Sequence, residues 1–188
     1  MNVMPSLETV REIAAAGEDK VLPVSCEILS DSYTPIEVLR VLKNVSTHCY
    51  LLESVAEKEK WGRYTFLGFD PKLEVTCRDG EVQAGELRFS TQDPSSVLRQ
   101  ILSEYKSPRF SWLPSFTGGL VGYFAYDYLK YREPTVQTAR QDSQNFRDAD
   151  LMLFDKVIAF DNFRQKMILI VNMPLDDPET GYNRAVLE

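Results

Sequence analysis

The chain has 188 residues, of which 44% are hydrophobic, so it can bury the core of one large domain or two small ones. Its formal charge of −7 argues against a nucleic-acid surface, because phosphate binding depends on clustered Lys and Arg. Its three cysteines lack C-x-x-C spacing, and no apolar run reaches the ~20 residues that a membrane span needs. No linker-like stretch is present, so we expect a single cytoplasmic domain without a disulfide framework, a zinc site, or a nucleic-acid or membrane partner.

The first half of the chain predicts two helices and a series of strands. Ser6 is a candidate N-cap for a helix that ends at Gly17, and Thr34-Pro35-Ile36-Glu37 combines a capping box with a proline at the first helical position. The second helix is expected over 35–43, with a buried stripe formed by Ile36, Leu39, Val41 and Leu42. Strands are predicted at 21–28, 49–55, 64–69, 72–78 and 81–84, and Asp79-Gly80 predicts a hairpin turn between the last two.

The second half predicts one helix followed by longer strands. Asp93-Pro94 starts a helix whose inner face carries Val97, Leu98, Ile101 and Leu102. Segment 134–149 is polar and is expected to be an exposed loop. Strands are predicted at 151–160 and 166–172, with a turn at 161–164 between them. Residues 181–188 are typical of a helix that begins and is not completed, which predicts a fragment of a longer polypeptide.

Candidate catalytic groups are few. His48 and Cys49 are neighbours on a strand and should point to opposite faces, so we do not expect a Cys–His nucleophile. Four aspartates have neither a metal-loop spacing nor a histidine partner and are expected to be solvated: Asp148, Asp150, Asp155 and Asp161. The glycines at 118, 119 and 122 fit no phosphate-binding loop, so they should let a strand bend or another backbone approach closely.

The polar end of strand 49–55 offers a different chemistry. Glu53 and Ser54 follow two leucines, and Arg63 precedes the next predicted strand. An acid, a hydroxyl and a guanidinium at neighbouring strand ends could bind the ammonium and the carboxylate of an amino acid. The same residues are also typical of a solvated strand end, and periodicity alone favours that interpretation.

Several blocks carry a resemblance to a known family, in this order along the chain: Leu22-Pro23-Val24 with Thr34-Pro35, Leu51-Leu52-Glu53-Ser54-Val55, Gly62-Arg63-Tyr64-Thr65-Phe66-Leu67-Gly68, 116–127 and 150–161. Through them the chain resembles the N-terminal portion of anthranilate synthase component I, the chorismate-using subunit of tryptophan biosynthesis. The resemblance implies that 1–188 has an α+β fold of antiparallel β-sheets packed with a few helices. It also implies a second, chorismate-binding domain that carries the catalytic groups and Mg²⁺. This chain would then have no catalytic or metal-binding residue and would be inactive alone.

The resemblance further implies feedback inhibition by L-tryptophan, bound between the two domains. Ser54 would hydrogen-bond this effector, Glu53 would face its ammonium, and Arg63 matches a basic position that borders the pocket. The implied protein partners are a glutamine amidotransferase subunit (component II) and the chain's own C-terminal chorismate-binding domain. The family often has a histidine where this chain has Asn162, so no role is carried over to that turn position.

Two other functions remain open. Aminodeoxychorismate synthase component I of folate synthesis has an N-terminal domain of similar layout, although the Leu-Leu-Glu-Ser motif and the Gly-Arg-Tyr block favour anthranilate synthase. A stand-alone amino-acid-binding module should end in a finished element, and residues 182–188 argue against that.

Overall fold

The computed structural model describes residues 2–53, 62–133, 135 and 145–188. Their packing forms two compact units, each assembled from separate stretches of sequence. Unit 1 consists of Met1–Pro71, Glu104–Gly118 and Phe154–Glu188, and unit 2 consists of Lys72–Ser103 and Gly119–Leu153. The units alternate along the chain, which agrees with the absence of a linker in the sequence.

The strands and helices are named in chain order. The strands are β1 (Val3–Met4), β2 (Val21–Leu29), β3 (Cys49–Glu53), β4 (Tyr64–Phe69), β5 (Leu73–Arg78), β6 (Glu81–Ala84), β7 (Leu87–Ser90), β8 (Gly119–Phe124), β9 (Ala149–Phe154), β10 (Lys156–Asp161) and β11 (Lys166–Pro174). The helices are α1 (Leu7–Ala16), α2 (Pro35–Val45), α3 (Pro94–Ser103) and α4 (Pro178–Leu187), and a 3₁₀ helix covers Tyr126–Tyr131. None of the helices in the described residues is long and apolar enough to cross a membrane.

Unit 1 is a six-stranded sheet in the order β1-β2-β11-β10-β4-β3, with every described pairing antiparallel. One face of the sheet packs against helices, because alternate residues of the strands are apolar. Under α1 and α4 the core is formed by Val10, Leu22, Val24, Met173 and Ala185, and under α2 by Leu42, Leu67, Phe160 and Met167. The other face buries Val157, Ala159, Ile168 and Ile170 beneath Leu113 and Phe116.

Unit 2 is a five-stranded sheet in the order β7-β6-β5-β9-β8. Its buried face is formed by Val75, Cys77, Val82, Ala84, Ala149 and Leu151. Three side chains of α3 pack on this face, namely Val97, Leu98 and Ile101, whereas Leu102 is exposed. The two antiparallel sheets with packed helices confirm the α+β class.

The helix ends follow the capping chemistry of the sequence. The Ser6 hydroxyl accepts the Thr9 N–H, and Gly17 closes α1 with a left-handed φ of 70°. Thr34 and Glu37 form the expected capping box of α2.

The buried stripe predicted for α2 is wrong at two positions. Ile36 and Val41 are 58% and 63% exposed, and Val38, Leu39 and Leu42 contact the sheet instead. The two exposed residues lie on either side of the face that these three form, because each residue of a helix turns by about 100°. Their apolar side chains therefore do not mark the packed face of α2.

The strand predicted at 151–160 is also wrong, because it is two strands in different sheets. β9 pairs with β5, and β10 pairs with β4 and β11. Asp155 separates them, and its carbonyl accepts the Asn172 N–H at 2.8 Å. Both strands are mostly apolar, so the hydrophobic pattern of 151–160 does not show where the chain changes sheets.

The remaining predicted elements have boundaries closer to those of the structure. The hairpin at Asp79 and Gly80 is confirmed, with φ angles of 48° and 82°. β3 ends at Glu53, and the last two residues of the predicted strand 49–55 lie outside the described residues. The loop expected at 134–149 also lies mostly outside them, and its last residues, Asp148 and Ala149, are buried. α4 starts at Pro178 rather than 181, where Asp177 caps it.

Candidate functional site

The candidate site lies at one end of the neighbouring strands β3 and β4 in unit 1. Glu53 is opposite Thr65, and Arg63 immediately precedes β4, so Glu53 and Arg63 are at the same end of the pair. Ser54 lies outside the described residues, and its position is not part of the geometry below. The Glu53 carboxylate is exposed and has no hydrogen-bond partner within the described part of the chain, so it can accept a cationic group from a ligand.

Arg63 is held by a buried carboxylate. Its Nε lies 3.1 Å from both carboxylate oxygens of Asp161, and its Nη2 lies 2.5 Å from Oδ2. The guanidinium also lies 4.8 Å from the centre of the Tyr64 ring, a cation–π distance. The Arg63 side chain remains 35% exposed, whereas that of Asp161 is 1% exposed. The pair thus fixes the arginine while leaving part of it accessible.

Asp161 is ionised in this environment. Burial opposes its ionisation, but hydrogen bonds from Arg63 and from the backbone N–H groups of Arg164 and Phe163 outweigh that effect and lower its pKa. The hydrogen bond with Asp161 in turn raises the pKa of Arg63. The pair carries one positive and one negative charge, so it presents hydrogen-bond donors with little net charge.

Asn162 fixes the segment that carries Arg63. Its backbone N–H donates to the Arg63 carbonyl at 2.8 Å, and its side-chain nitrogen lies 3.4 Å from the Gly62 carbonyl and 3.3 Å from the Thr65 hydroxyl. It follows β10 in the turn, as expected from the sequence, yet it also contacts the start of β4. Asn162 is therefore a neighbour of the site.

An apolar surface adjoins Arg63, on the sheet face that carries Leu52, whereas Glu53 points to the opposite face. The Tyr64 and Phe66 rings lie 5.8 Å apart, and the Phe66 ring meets that of Phe116 edge to face at 5.5 Å. Leu52 is opposite Phe66 in the sheet and is exposed. An arginine next to an apolar, partly exposed surface is a combination that an amphipathic small molecule can use.

The expectation that the four aspartates are solvated is wrong for three of them: Asp148, Asp155 and Asp161 are buried. In unit 2, Asp148 accepts the Tyr131 hydroxyl at 2.6 Å, Lys130 Nζ at 3.0 Å and the Asp79 N–H at 2.7 Å. These bonds supply the compensation that a buried carboxylate needs. Asp150 is half-buried and pairs with Arg147 at 2.8 Å.

The glycine stretch has the structural role expected from the sequence. A Cβ on Gly122 would lie 2.0 Å from the Asp150 carbonyl oxygen, and one on Gly118 would lie 2.9 Å from the Phe154 carbonyl oxygen. Both positions therefore allow a close backbone approach, which no other residue type permits.

The structure adds no catalytic or metal centre to the described residues. The Cys49 thiol donates to the Ser46 carbonyl at 3.7 Å, and His48 is exposed. No three His, Cys, Asp or Glu side chains of the described residues are grouped to hold a metal ion. The side chains of the described residues therefore do not fit the Mg²⁺ that the resemblance implies for the longer protein.

Sequence reasoning identified Glu53 and Arg63 but missed the roles of Asp161 and Asn162. Both lie about a hundred residues from their partners, with separations of 98 to Arg63 and 97 to Thr65. The sequence does hold one indication, because Asp161 directly follows the apolar run 157–160 and comes just before the turn.

Comparison with known proteins gives relatives along nearly the whole chain. No protein-family model matches. The chain is 36% identical over 191 residues to anthranilate synthase component 1 of Acinetobacter calcoaceticus, a match that covers 97% of this chain and 38% of the relative. It is 36% identical over 190 residues to the component 1 of Aquifex aeolicus (strain VF5), covering 98% of this chain and 38% of that protein.

A solved structure supports the fold. Anthranilate synthase component I from Streptococcus pneumoniae TIGR4 matches with a TM-score of 0.55 and 23% identity, over 85% of this chain and 35% of that one. The chain thus spans somewhat more than a third of the length of these three proteins. These findings confirm the resemblance seen in the sequence: over nearly its whole length, this chain is related to a portion of anthranilate synthase component 1.

Proposed function

We propose that the chain is the N-terminal regulatory part of an anthranilate synthase component I and contributes Glu53, Ser54 and Arg63 to an L-tryptophan feedback-inhibition site. The observation that carries the proposal is the match of 97% of this chain to component 1 relatives of which it covers 38%. In this proposal the complete protein is a lyase that converts chorismate and ammonia, supplied from glutamine by a component II subunit, to anthranilate and pyruvate in the cytoplasm. Its catalytic groups and Mg²⁺ belong to the rest of the polypeptide.

The end of the β3–β4 pair offers groups for both charges of a zwitterion, and a ligand that contacts Glu53 as well as the aromatic rings must reach around this strand end, because Glu53 points to the opposite face. The exposed Glu53 carboxylate offers an acceptor for the ammonium group. Asp161 accepts from Nε and Nη2 of Arg63, and Nη1 has no partner among the described residues, so it can donate to the carboxylate group. Tyr64 and Phe66 supply apolar surface for the aromatic side chain of the ligand.

Regulation by such a site needs a difference in affinity. An effector that also contacts the chorismate-binding domain would favour one arrangement of the two domains. It can inhibit only to the extent that it binds that arrangement more tightly than the active one. Much of the pocket would then come from the other domain, and this chain alone would bind tryptophan weakly.

The test is inhibition of the full-length enzyme. Ser54→Phe should relieve tryptophan inhibition and leave uninhibited turnover largely intact, because the new ring occupies the effector position. Ser103→Phe, at the exposed end of α3, is the matched control and should be inhibited like the wild type. Unchanged inhibition of Ser54→Phe would rule out the assigned site.

Two further measurements test the role of Glu53 and the assigned reaction separately. Glu53→Gln keeps the size of the side chain and removes its charge, so it should weaken inhibition about tenfold, equivalent to about 1.4 kcal/mol. Formation of aminodeoxychorismate instead of anthranilate by the full-length enzyme would contradict the assigned reaction.

A further inference from the structure

Asp161 occupies only one edge of the Arg63 guanidinium. This group has five N–H donors, and those on Nε and on the inner side of Nη2 are directed at the Asp161 carboxylate. The outer edge, formed by Nη1 and the other side of Nη2, has no partner among the described residues. A guanidinium edge binds a carboxylate through two parallel N–H···O bonds. The outer edge can therefore bind a second carboxylate in the plane of the guanidinium.

Asp161 is itself held in place. Its Oδ1 accepts the N–H group of Phe163 at 3.1 Å and that of Arg164 at 3.0 Å, in the turn that follows β10. Its side chain is 1% exposed, so the surrounding atoms restrict its rotation. A carboxylate that is fixed in this way also fixes the guanidinium bonded to it.

Two other contacts restrain Arg63. Its guanidinium carbon lies over the Tyr64 ring, 4.8 Å from the ring centre. The Asn162 N–H donates to the Arg63 carbonyl at 2.8 Å and holds the backbone. The guanidinium is thus restrained at its inner edge, on one face and through the main chain. The edge that none of these contacts occupies is the outer one.

We propose that Asp161 is the positioning residue of the effector site: by holding the inner edge of Arg63, it directs the outer edge toward the carboxylate of the effector. This inference rests on the proposed function, because it takes Arg63 to contact the effector. The ligand class that the arrangement selects is a small organic acid with an apolar ring, since the outer edge binds a planar carboxylate beside Tyr64 and Phe66.

Asp161 has two opposite effects on a bound carboxylate. Its negative charge repels the ligand, and at a separation of about 6 Å in solvent this repulsion lowers the affinity about threefold. Its hold on Arg63 removes the need to order a long side chain on binding, which raises the affinity about tenfold. Arg63 is 35% exposed, so solvent screens the repulsion but not the ordering effect. The net effect of Asp161 should be an affinity about threefold higher.

The experiment is tryptophan inhibition of the full-length enzyme carrying Asp161→Asn. The amide oxygen of this variant accepts the N–H groups of Phe163 and Arg164, so an NH₂ group faces Arg63 and cannot accept its hydrogen bonds. The tryptophan concentration that halves the activity should rise about threefold. An unchanged or lower concentration overturns the inference, because the loss of the negative charge alone would strengthen binding of the carboxylate.

Two substitutions elsewhere in unit 1 are the controls. Glu179→Gln removes a carboxylate from the exposed pair with Arg11, and Thr34→Ala removes the N-cap of α2. Both variants should be inhibited by tryptophan like the wild type. A loss of inhibition in either control as large as that of Asp161→Asn would show a general effect of charge or of stability, and the positioning role would be wrong.

Indole-3-propionate separates positioning from charge. It keeps the ring and the carboxylate of tryptophan but lacks the ammonium group, which an unpaired Arg63 would repel. Asp161→Asn should weaken its inhibition too, whereas the change of charge alone would strengthen it. Unchanged or stronger inhibition of Asp161→Asn by this acid overturns the inference. If the acid inhibits neither protein, the comparison with the two controls decides.

The positioning role and the assigned site can fail separately. If Ser54→Phe relieves tryptophan inhibition and Asp161→Asn does not weaken it, the site stands and Asp161 does not position it. If Ser54→Phe has no effect while Asp161→Asn weakens inhibition and the controls do not, the effector contacts Arg63 without Ser54, and the assigned site alone is wrong.

Discussion

Replacing Asp161 with Asn tests the charge pair that fixes Arg63. The amide oxygen can still accept the backbone N–H groups of Phe163 and Arg164, but the negative charge that faces Arg63 is lost. Hydrogen bonds to charged groups contribute about 1.5–3 kcal/mol. Since Arg63 is 35% exposed, solvent screens part of this, and we expect Asp161→Asn to lower the free energy of unfolding by about 1–2 kcal/mol.

The stabilisation that ionised Asp161 provides should decrease as the pH falls. The pKa of Asp161 is lowered in the folded state, against an ordinary value of about 3.9. Ionisation therefore stabilises the folded protein above that value, and the stabilisation is lost as the pH falls through the folded-state pKa. The difference between wild type and Asp161→Asn should be full at pH 7 and should shrink below about pH 4.

Urea unfolding followed by tryptophan fluorescence measures both quantities. The matched control is Glu179→Gln, which removes a carboxylate from the exposed pair with Arg11 and should cost about 0.5 kcal/mol or less. A cost for Asp161→Asn no larger than that of Glu179→Gln would refute the reasoning. So would an equal cost at pH 3 and pH 7.

Three further substitutions test other contacts. Gly122→Ala should destabilise the protein by about 3 kcal/mol or more in thermal unfolding, because its Cβ would lie 2.0 Å from the Asp150 carbonyl oxygen. Thr34→Ala removes the N-cap of α2 and should cost about 1 kcal/mol by urea unfolding. Tyr131→Phe leaves the Gly80 N–H without the hydroxyl that accepts it at 2.6 Å, and should cost about 1–3 kcal/mol in the same assay.

Each has a control. Gly17→Ala should cost about 1 kcal/mol, because its Cβ would meet no atom and only the left-handed φ is unfavourable. Thr34→Ser retains the capping oxygen and should behave like the wild type. Tyr126→Phe, on an exposed ring, should leave stability unchanged. Costs for Gly122→Ala, Thr34→Ala and Tyr131→Phe no larger than those of their controls would show that these contacts contribute little.

Local chemistry was readable from the sequence, and long-range pairing was not. The capping box at Thr34 and the hairpin at Asp79 and Gly80 involve residues within three positions of one another, so their spacing carries the information. The burial of Asp161 depends on Arg63, 98 residues away. A carboxylate looks solvated until its partner is placed, because its sequence neighbours do not identify that partner.

The candidate site shows the same contrast between local features, which the sequence predicts, and long-range contacts, which it does not. Glu53 and Arg63 could be named because they end and begin adjacent strands, and the structure places them at one end of the β3–β4 pair. The ion pair between Arg63 and Asp161 could not be predicted, because the pairing of β10 with β4 joins residues that are 98 positions apart in the sequence. Ser54 remains a prediction from resemblance, since it lies outside the described residues.

The strand order of the unit 1 sheet has a consequence for biosynthesis. β10 and β11 separate β2 from β4, yet they are synthesised after the other described strands of that sheet. At ribosomal rates of about 5–20 residues per second, β2 must wait on the order of ten seconds for its partner β11. During that interval its apolar face is without the sheet that buries it, so the nascent chain should depend on chaperones more than a sheet built from consecutive hairpins would.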